Sequence, residues 1–155
     1  MGEYILGIDP GASGAYAMIN VNTREVIVES FKDFKTTVDF FHTHSYNIKA
    51  CAIEQVGGFI GVPQPGSRMF NFGMNYGFFL GLLESLDIEY VLVRPQAWQK
   101  EFSGRLKGLK GPLRKRVLKE IAIEKFPNEK VTLKNCDALL IARELYNKDP
   151  ANLTL

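Results

Sequence analysis

The chain has 155 residues, 46% of them hydrophobic and 23% charged, so it can bury one ordinary core, and we expect residues 1–155 to form a single domain. Its 14 glycines and 7 prolines are close to average usage and no segment repeats with a fixed period, which argues against repeat and low-complexity proteins. The net charge of +2 conceals one basic segment, residues 100–119, where eight lysines and arginines accompany a single glutamate and leave −5 on the rest of the chain.

Signals for secretion or membrane attachment are not recognised. Residues 1–6 do not combine a basic stretch with a long apolar segment, and no apolar run approaches the roughly 18 residues of a membrane span. The two cysteines, Cys51 and Cys136, are too few for a disulfide framework and are expected to be reduced core residues. We therefore expect a cytoplasmic protein with no membrane partner.

The N-terminal part predicts three consecutive strands. Residues 4–8 form a buried apolar run, which the turn at residues 9–14 ends because its proline and glycines cannot continue a strand. Residues 15–21 and 26–31 are β-rich runs joined by a short polar connection typical of a hairpin. Asp9 is therefore expected at the C-terminal end of the first strand.

A short helix and a fourth strand follow. Thr36 or Thr37 can cap a helix that ends near Phe41. Residues 50–53 form an apolar run that stops abruptly at Glu54. The fourth strand is thus expected to carry an acid at its tip.

A long helix is predicted over residues 67–86, after a segment rich in glycine and proline. Within it, Gly73, Gly77 and Gly81 recur every four residues, which costs helix stability of about 1 kcal/mol each unless close packing compensates. We expect these glycines to line one face and to pack within the molecule, with a nucleic-acid backbone as the other candidate neighbour.

The C-terminal half predicts a fifth strand and two helices. Residues 90–93 form the strand, and a helix over residues 113–126 begins at a proline. Asn135 can cap a last helix over residues 136–146. Asp137 then lies in the first turn of that helix.

Three acids require an explanation, because buried carboxylates are unfavourable unless cations or hydrogen bonds compensate for them. Asp9 and Glu54 each follow an apolar strand, and if those strands are parallel neighbours, both acids emerge at one sheet edge. Asp137, on a helix packed across that edge, would complete a site for a hard divalent cation. Taken separately, the acids also have simpler roles, as a turn cap, a lysine partner and a favourable helix-dipole charge.

The basic segment, residues 100–119, suits a surface that binds a polyanion, although such a charge run also forms ordinary solvated helix faces. A polyanion bound there would be held with strong salt dependence. The candidate contacts in this segment are Lys100, Arg105, Lys107, Lys110, Arg114 and Lys115.

The order of these motifs resembles the RuvC Holliday junction resolvases of the RNase H-like superfamily, in particular their small phage-encoded branch. The resemblance spans nearly the whole chain, and any one of its motifs would be weak alone. Its carriers are Gly-Ile-Asp-Pro-Gly at residues 7–11, Glu-Gln-Val at 54–56, the glycine-spaced helix, and Asp-Ala-Leu-Leu-Ile-Ala at 137–142. Residues 94–98 also look similar to the segment that precedes the basic region in the phage branch.

The resemblance implies an α/β, RNase H-like fold, with a mixed five-stranded sheet whose first three strands are antiparallel, flanked by helices. It implies an endonuclease that acts as a homodimer and hydrolyses phosphodiester bonds in branched DNA. The substrates would be four-way junctions, and also forks and three-way junctions. The processes implied are DNA recombination and repair. Asp9, Glu54 and Asp137 match the family's catalytic, metal-binding acids, with Mg²⁺ as cofactor and Mn²⁺ as a substitute. Lys107 and Lys110 fall roughly where such enzymes place substrate-binding lysines. The candidate contacts of the basic segment are therefore candidate DNA contacts, which would hold phosphates with little base specificity.

Two positions depart from the family pattern. The family usually has an Asp or His three or four residues before the last acid, where this chain has Leu133 and Lys134. Lys134 is either a catalytic residue that replaces the charge of a second metal or a solvent-facing lysine. After Glu-Gln-Val the family often has an aromatic residue that enters the junction, but Gly57 stands here and Phe59 is the nearest DNA-binding substitute, so we expect relaxed selectivity.

Two rival functions remain to be distinguished. An actin-like ATPase also has an Asp-containing turn after its first strand, but this chain is too short for the second lobe of such an enzyme. A catalytically impaired protein would bind branched DNA without cutting it, and Lys134 would be the sign of the loss.

Overall fold

The computed structural model describes residues 2–55, 57 and 65–149, and five strands in it form one mixed sheet. The strands are β1 (Tyr4–Asp9), β2 (Ala15–Asn20), β3 (Val26–Ser30), β4 (Ile48–Glu54) and β5 (Tyr90–Val93), in the order β3-β2-β1-β4-β5. β1 pairs antiparallel with β2 and β2 with β3, whereas β4 lies parallel to β1 and β5 parallel to β4. The predicted mixed sheet, with its first three strands antiparallel, is confirmed.

Helices cover both faces of this sheet in the described ranges. They are α1 (Phe34–His44), α2 (Gly66–Ser85), α3 (Pro95–Gln99), α4 (Ser103–Leu106), α5 (Gly111–Lys125) and α6 (Cys136–Lys148). Ser45–Asn47 and Lys100–Phe102 form short 3₁₀ turns. Among the described residues, none of the helices combines the length and the apolar character that crossing a bilayer requires.

One sheet face packs against α1 and α2. Alternate residues of the central strands point toward these helices because side chains alternate across a strand. The buried cluster on this side consists of Leu6, Ile8, Tyr16, Met18, Phe41, Cys51, Ile53, Phe79, Leu82, Leu83 and Ile88. Cys51 is a buried free thiol there, and Cys136 is another on the opposite side, so the prediction of packed thiols is confirmed.

The opposite face packs against α6 at very short range. A Cβ atom on Gly7 of β1 would lie 2.6 Å from the Ala138 carbonyl oxygen and 2.7 Å from the Ala142 Cα. Only a glycine on the strand, opposite alanines on the helix, permits this approach. The close packing draws the first turn of α6 toward the end of β1.

The beginning of α1 differs from the prediction. The helix starts at Phe34 rather than near Thr36, and Asp33 is the capping residue. The Asp33 carboxylate accepts hydrogen bonds from the Thr36 amide at 2.7 Å and from the Thr36 hydroxyl at 3.1 Å. Aspartate is at least as good a cap as threonine, and it stands at the position where the extended backbone ends.

The glycine stripe of α2 does not pack within the described part of the molecule, so the expectation of intramolecular contact was wrong. A Cβ on Gly73, Gly77 or Gly81 would meet nothing within 4 Å. The helix instead turns its larger residues to the sheet, among them Phe79, Leu82 and Leu83. Burial of those side chains outweighs any gain from close approach at the glycines, which therefore face outward.

The segment between β5 and α5 contains α3 and α4, which the sequence pattern did not predict. Arg114 of α5 braces this segment. Its guanidinium donates hydrogen bonds to Gln99 Oε1 at 3.1 and 2.6 Å, and to the carbonyl oxygens of Leu106 at 3.1 Å and Leu109 at 3.4 Å. These bonds tie α5 to the end of α3 and to the turn that follows α4.

Candidate active site

Two of the predicted acids end adjacent parallel strands. Ile8 of β1 pairs with Ile53 of β4, so the residues that follow, Asp9 and Glu54, lie side by side at one edge of the sheet. Asp9 is buried, with 9% exposure, and its Oδ1 accepts a hydrogen bond from the Gly11 amide at 3.2 Å. The predicted placement of both acids at strand tips is confirmed.

Asp137 reaches the same edge from the first turn of α6. Its Oδ2 accepts a hydrogen bond from Lys115 Nζ of α5 at 2.5 Å, and the Lys115 side chain is only 33% exposed. This ion pair places a positive charge among the acids. Sequence reasoning assigned Lys115 to the DNA surface and did not predict this partner, because residues 22 positions apart are brought together only by the packing of α5 on α6.

The start of α6 is fixed by Asn135, although not in the predicted way. The Asn135 side chain makes no capping hydrogen bond to the helix. Its Oδ1 accepts from the Thr132 amide at 2.8 Å, and its Nδ2 donates to the Lys130 carbonyl at 3.0 Å. Asn135 is buried, so these bonds hold the turn before α6 and thereby the position of Asp137.

The three acids open into one cavity of about 880 Å³. Lys115 and Lys134 also line it, as do the Gly11–Ser13 part of the β1–β2 turn and Leu133. The remaining lining comes from the first turns of α2, namely Ser67, Arg68, Asn71 and Phe72. Sequence reasoning did not assign these α2 residues to the site; the signal that could have indicated them is that α2 begins only 12 positions after Glu54.

The acids carry more negative charge than their surroundings compensate. Burial, together with the charge of Asp137, raises the pKa of Asp9 from its ordinary 3.8 to about 6. Burial, together with the charge of Asp9, raises the pKa of Glu54 from 4.5 to about 8. Carboxylates that resist ionisation in this way are favourable sites for a cation.

Glu54 has a hydrogen-bond donor that the sequence did not predict. The indole Nε1 of Trp98, on α3, donates to Glu54 Oε2 at 2.7 Å. Trp98 is 1% exposed and packs with Phe102, Leu118 and Ile121 on the α5–α6 side of the sheet. The position of the donor is therefore set by the core.

The chemistry of the donor set fits Mg²⁺ or Mn²⁺. Asp9, Glu54 and Asp137 provide hard carboxylate oxygens, and the raised pKa values of Asp9 and Glu54 indicate a deficit of positive charge. In residues 2–55, 57 and 65–149, no three His, Cys, Asp or Glu side chains already converge as a metal cage. Lys115 occupies part of the space around Asp137, so binding of an ion would require side chains to adjust.

Of the two residues predicted at positions that depart from the family pattern, the structure describes Lys134 but not Phe59. Lys134 is exposed and lines the cavity, and its catalytic role stays a prediction. Phe59 lies outside the described residues, so its predicted contact with DNA is not tested.

The basic segment contributes a second hollow of about 450 Å³. Lys100, Lys107 and Arg114 are its basic lining residues, and Gln96, Gln99 and Ser103 add polar groups. Gly108, with a φ of +76°, forms part of its wall in a conformation that favours glycine. A hollow of this composition suits a phosphate group.

The other predicted DNA contacts occupy different environments. Arg105 forms an ion pair with Glu124 at 2.8 Å, and both side chains are largely exposed. Lys110 is exposed immediately before α5. Arg114 directs its donors to protein acceptors, as described above, and Lys115 contacts Asp137. All of these DNA contacts stay predictions.

Comparison with known proteins bears on the fold. No protein-family model matches the sequence, and no curated protein matches it at a significant level. Among solved structures, the chain is similar to T. thermophilus RuvC in complex with a Holliday junction substrate, with a TM-score of 0.62 and 12% identity over 96% of this chain and 97% of that one.

Two further solved structures are similar over most of their length. The yeast mitochondrial Holliday junction resolvase Ydc2 gives a TM-score of 0.55 at 16% identity, covering 99% of this chain and 81% of that one. The Fowlpox virus resolvase with its Holliday junction DNA gives 0.52 at 12% identity, covering 93% and 97%. The phage-encoded branch stays a prediction, and at these identities the likeness establishes the architecture: the chain has the fold of RuvC-like Holliday junction resolvases.

Proposed function

We propose that the chain is a divalent-cation-dependent endodeoxyribonuclease that binds and cleaves Holliday junctions and other branched DNA as a homodimer. The observation that carries this proposal is the meeting of Asp9, Glu54 and Asp137 in one cavity. Consecutive residues of α5, Arg114 and Lys115, reach the basic hollow and that cavity respectively. Two of the similar structures hold junction DNA, which supports this class of substrate.

The chain's own residues have distinct parts in the hydrolysis. A bound Mg²⁺ or Mn²⁺ supplies a nucleophilic hydroxide at neutral pH and neutralises charge on the phosphate. Asp9, Glu54 and Asp137 would hold that ion, because their oxygens are the hard ligands in the cavity. Lys115 orients Asp137 and places a positive charge near the phosphate, and Lys134 adds another at the rim.

Binding of the DNA backbone is assigned to the basic segment. Lys100 and Lys107 line the hollow and Lys110 lies exposed between the hollow and α5. Their charges would neutralise phosphates and position the duplex without reading its bases. Branch selectivity would then come from the geometry of the whole dimer rather than from base contacts.

The homodimer is assigned to the outward face of α2. Phe70 is 70% exposed and Met74 is 44% exposed. On the same face of the helix, Gly73 lies three positions after Phe70, and Gly77 lies three positions after Met74. Apolar side chains beside glycines allow two copies of a helix to approach closely, and the same patch can meet itself across a two-fold axis. Since the first turns of α2 also line the acid cavity, such a dimer would hold two cavities at a fixed separation.

A protein that binds branched DNA without cutting it is the second candidate. The observation that favours it is that no ready-made cage of metal ligands exists in the described part of the chain. The first experiment below distinguishes the two functions.

Asp9→Asn is expected to abolish cleavage while junction binding persists, because it removes a cation ligand but not the basic hollow. The assay is a gel with labelled four-way, three-way and duplex DNA, incubated with Mg²⁺, Mn²⁺ or chelator, and the rate should fall about 100-fold or more. Asp39→Asn, an exposed acid on α1, is the matched control. Wild-type binding without cleavage under every cation would support the second candidate instead.

The free energy of unfolding without divalent cation is expected to fall as pH rises from about 4 to about 8. The pKa values of Asp9 and Glu54 are raised on folding, to about 6 and about 8, so the folded state binds more protons than the unfolded state in this range. Urea titrations in chelator would measure the slope, which Asp9→Asn and Glu54→Gln should each flatten. A free energy of unfolding that rises between about pH 4 and about pH 8 would contradict the raised pKa values of Asp9 and Glu54.

Lys107→Ala combined with Lys110→Ala is expected to weaken junction binding at every sequence and to reduce the salt slope of log Kd by about 2. The melting temperature should not change, because both side chains are exposed. Lys35→Ala, on an 85% exposed side chain of α1, is the matched control. Unchanged binding and salt dependence would remove these lysines from the DNA surface.

Met74→Glu is expected to convert the dimer to a monomer, because it places a charge in the centre of the α2 contact. Light scattering during gel filtration measures the mass, and circular dichroism checks that the fold is kept. Tyr46→Glu, at an 86% exposed aromatic residue in the turn before β4, should leave the dimer intact. A Met74→Glu dimer, or a monomeric wild type, would exclude this interface.

A further inference from the structure

Trp98 is the one tryptophan in the sequence, and it is almost completely buried at 1% exposure. Its ring belongs to the cluster that joins β4 to α5 and α6, where Ala52, Leu118 and Leu140 are also buried. Its Nε1 leaves this apolar cluster at one point, where it donates to Glu54 Oε2 at 2.7 Å. The hydrogen bond therefore connects the core directly to an acid of the cavity.

The burial of Trp98 and Glu54 indicates which of the two side chains fixes the position of the other. A fully packed indole has one available rotamer, because surrounding side chains exclude the others. Glu54 is half-buried at the strand tip, and its longer side chain has several torsions. Trp98 thus fixes Glu54, rather than the reverse. In the described part of the chain, no hydrogen bond to Glu54 Oε1 is found, and Glu54 lines the acid cavity.

The helix that carries Trp98 is itself held in place. Gln99, the next residue, accepts two hydrogen bonds from the Arg114 guanidinium, at 3.1 and 2.6 Å. Arg114 is followed on α5 by Lys115, whose ammonium contacts Asp137. One turn of α5 therefore supports Glu54 through Gln99 and Trp98, and supports Asp137 directly.

We propose that Trp98 is a positioning residue, whose indole N–H holds Glu54 Oε2 so that Oε1 is presented to the divalent cation. This inference rests on the proposed function, because it assigns a role within the same site. Glu54 released from Trp98 would sample other rotamers, and each ion bound would have to restrict them again. Loss of such a supporting hydrogen bond typically lowers metal affinity or activity by about 10- to 100-fold.

The first test uses the indole N–H resonance of Trp98, which is single in a ¹⁵N-labelled protein because the chain has one tryptophan. Glu54→Ala should move this resonance upfield and speed its exchange with D₂O about tenfold or more, as expected when a hydrogen bond is lost. Asp39→Asn, an exposed acid on α1, is the matched control and should leave the exchange rate unchanged. Mn²⁺ should broaden the resonance of the wild type at a lower concentration than that of Glu54→Ala, because two of the three carboxylates remain in the variant.

The second test is Trp98→Phe, which keeps an aromatic ring but removes the donor. We expect the Mn²⁺ affinity, measured by electron paramagnetic resonance, to fall about tenfold, with kcat reduced and the KM for junction DNA unchanged. Phe102→Leu changes the same buried cluster without touching an acid and is the control for core packing. Its Mn²⁺ affinity and kcat should fall less than those of Trp98→Phe, because the indole donor is kept.

The outcomes separate this inference from the proposed function. If the wild type cleaves branched DNA but Glu54→Ala leaves the indole exchange unchanged, or Trp98→Phe keeps wild-type Mn²⁺ affinity and kcat, the positioning role is wrong and the nuclease stands. If the wild type cleaves nothing but the indole resonance and the Mn²⁺ affinity respond as described, the nuclease is wrong and the positioning of Glu54 stands. Should Trp98→Phe fail to fold, the resonance measurements still decide.

Discussion

The burial of carboxylates at one edge of the sheet is the constraint around which this protein is organised. Asp9 and Glu54 end neighbouring parallel strands, and the α6 helix brings Asp137 to the same place. Burial and mutual repulsion raise the pKa values of Asp9 and Glu54, so their ionised forms are destabilised in the folded chain. Under the proposed function, a cation bound among the acids would offset this cost.

The basic segment, residues 100–119, places its side chains in two kinds of environment. Arg114 and Lys115 turn inward, one bracing α3 and α4 through Gln99 and two backbone carbonyls, the other pairing with Asp137. Lys100 and Lys107 remain beside a hollow at the surface. The sequence suggested two interpretations of this charge run, a polyanion-binding surface and an ordinary solvated helix face. A third was missed, in which Arg114 and Lys115 contact protein groups and support the acid site.

The α2 helix links the site to the outer surface. Its first turns line the acid cavity, its large apolar residues cover the sheet, and its glycines and Met74 face outward. The close approach expected of those glycines occurs instead at Gly7 of β1. Because Gly7 has no Cβ atom, α6 packs directly against the strand. Glycine does permit close approach in this protein. The glycine repeat along α2, however, could not indicate which element of the structure would approach that helix.

The sequence alone determined the strands, the long helices and the placement of Asp9 and Glu54 at strand tips, because apolar runs, turn residues and helix periodicity are local signals. Only the tertiary structure decided which groups support those acids. Trp98 meets Glu54 across 44 positions and Lys115 meets Asp137 across 22. Asn135 stands where a cap was expected but bonds backward to its own turn. These choices depend on how helices pack against the sheet, and packing optimises all contacts together, so no single segment contains the information.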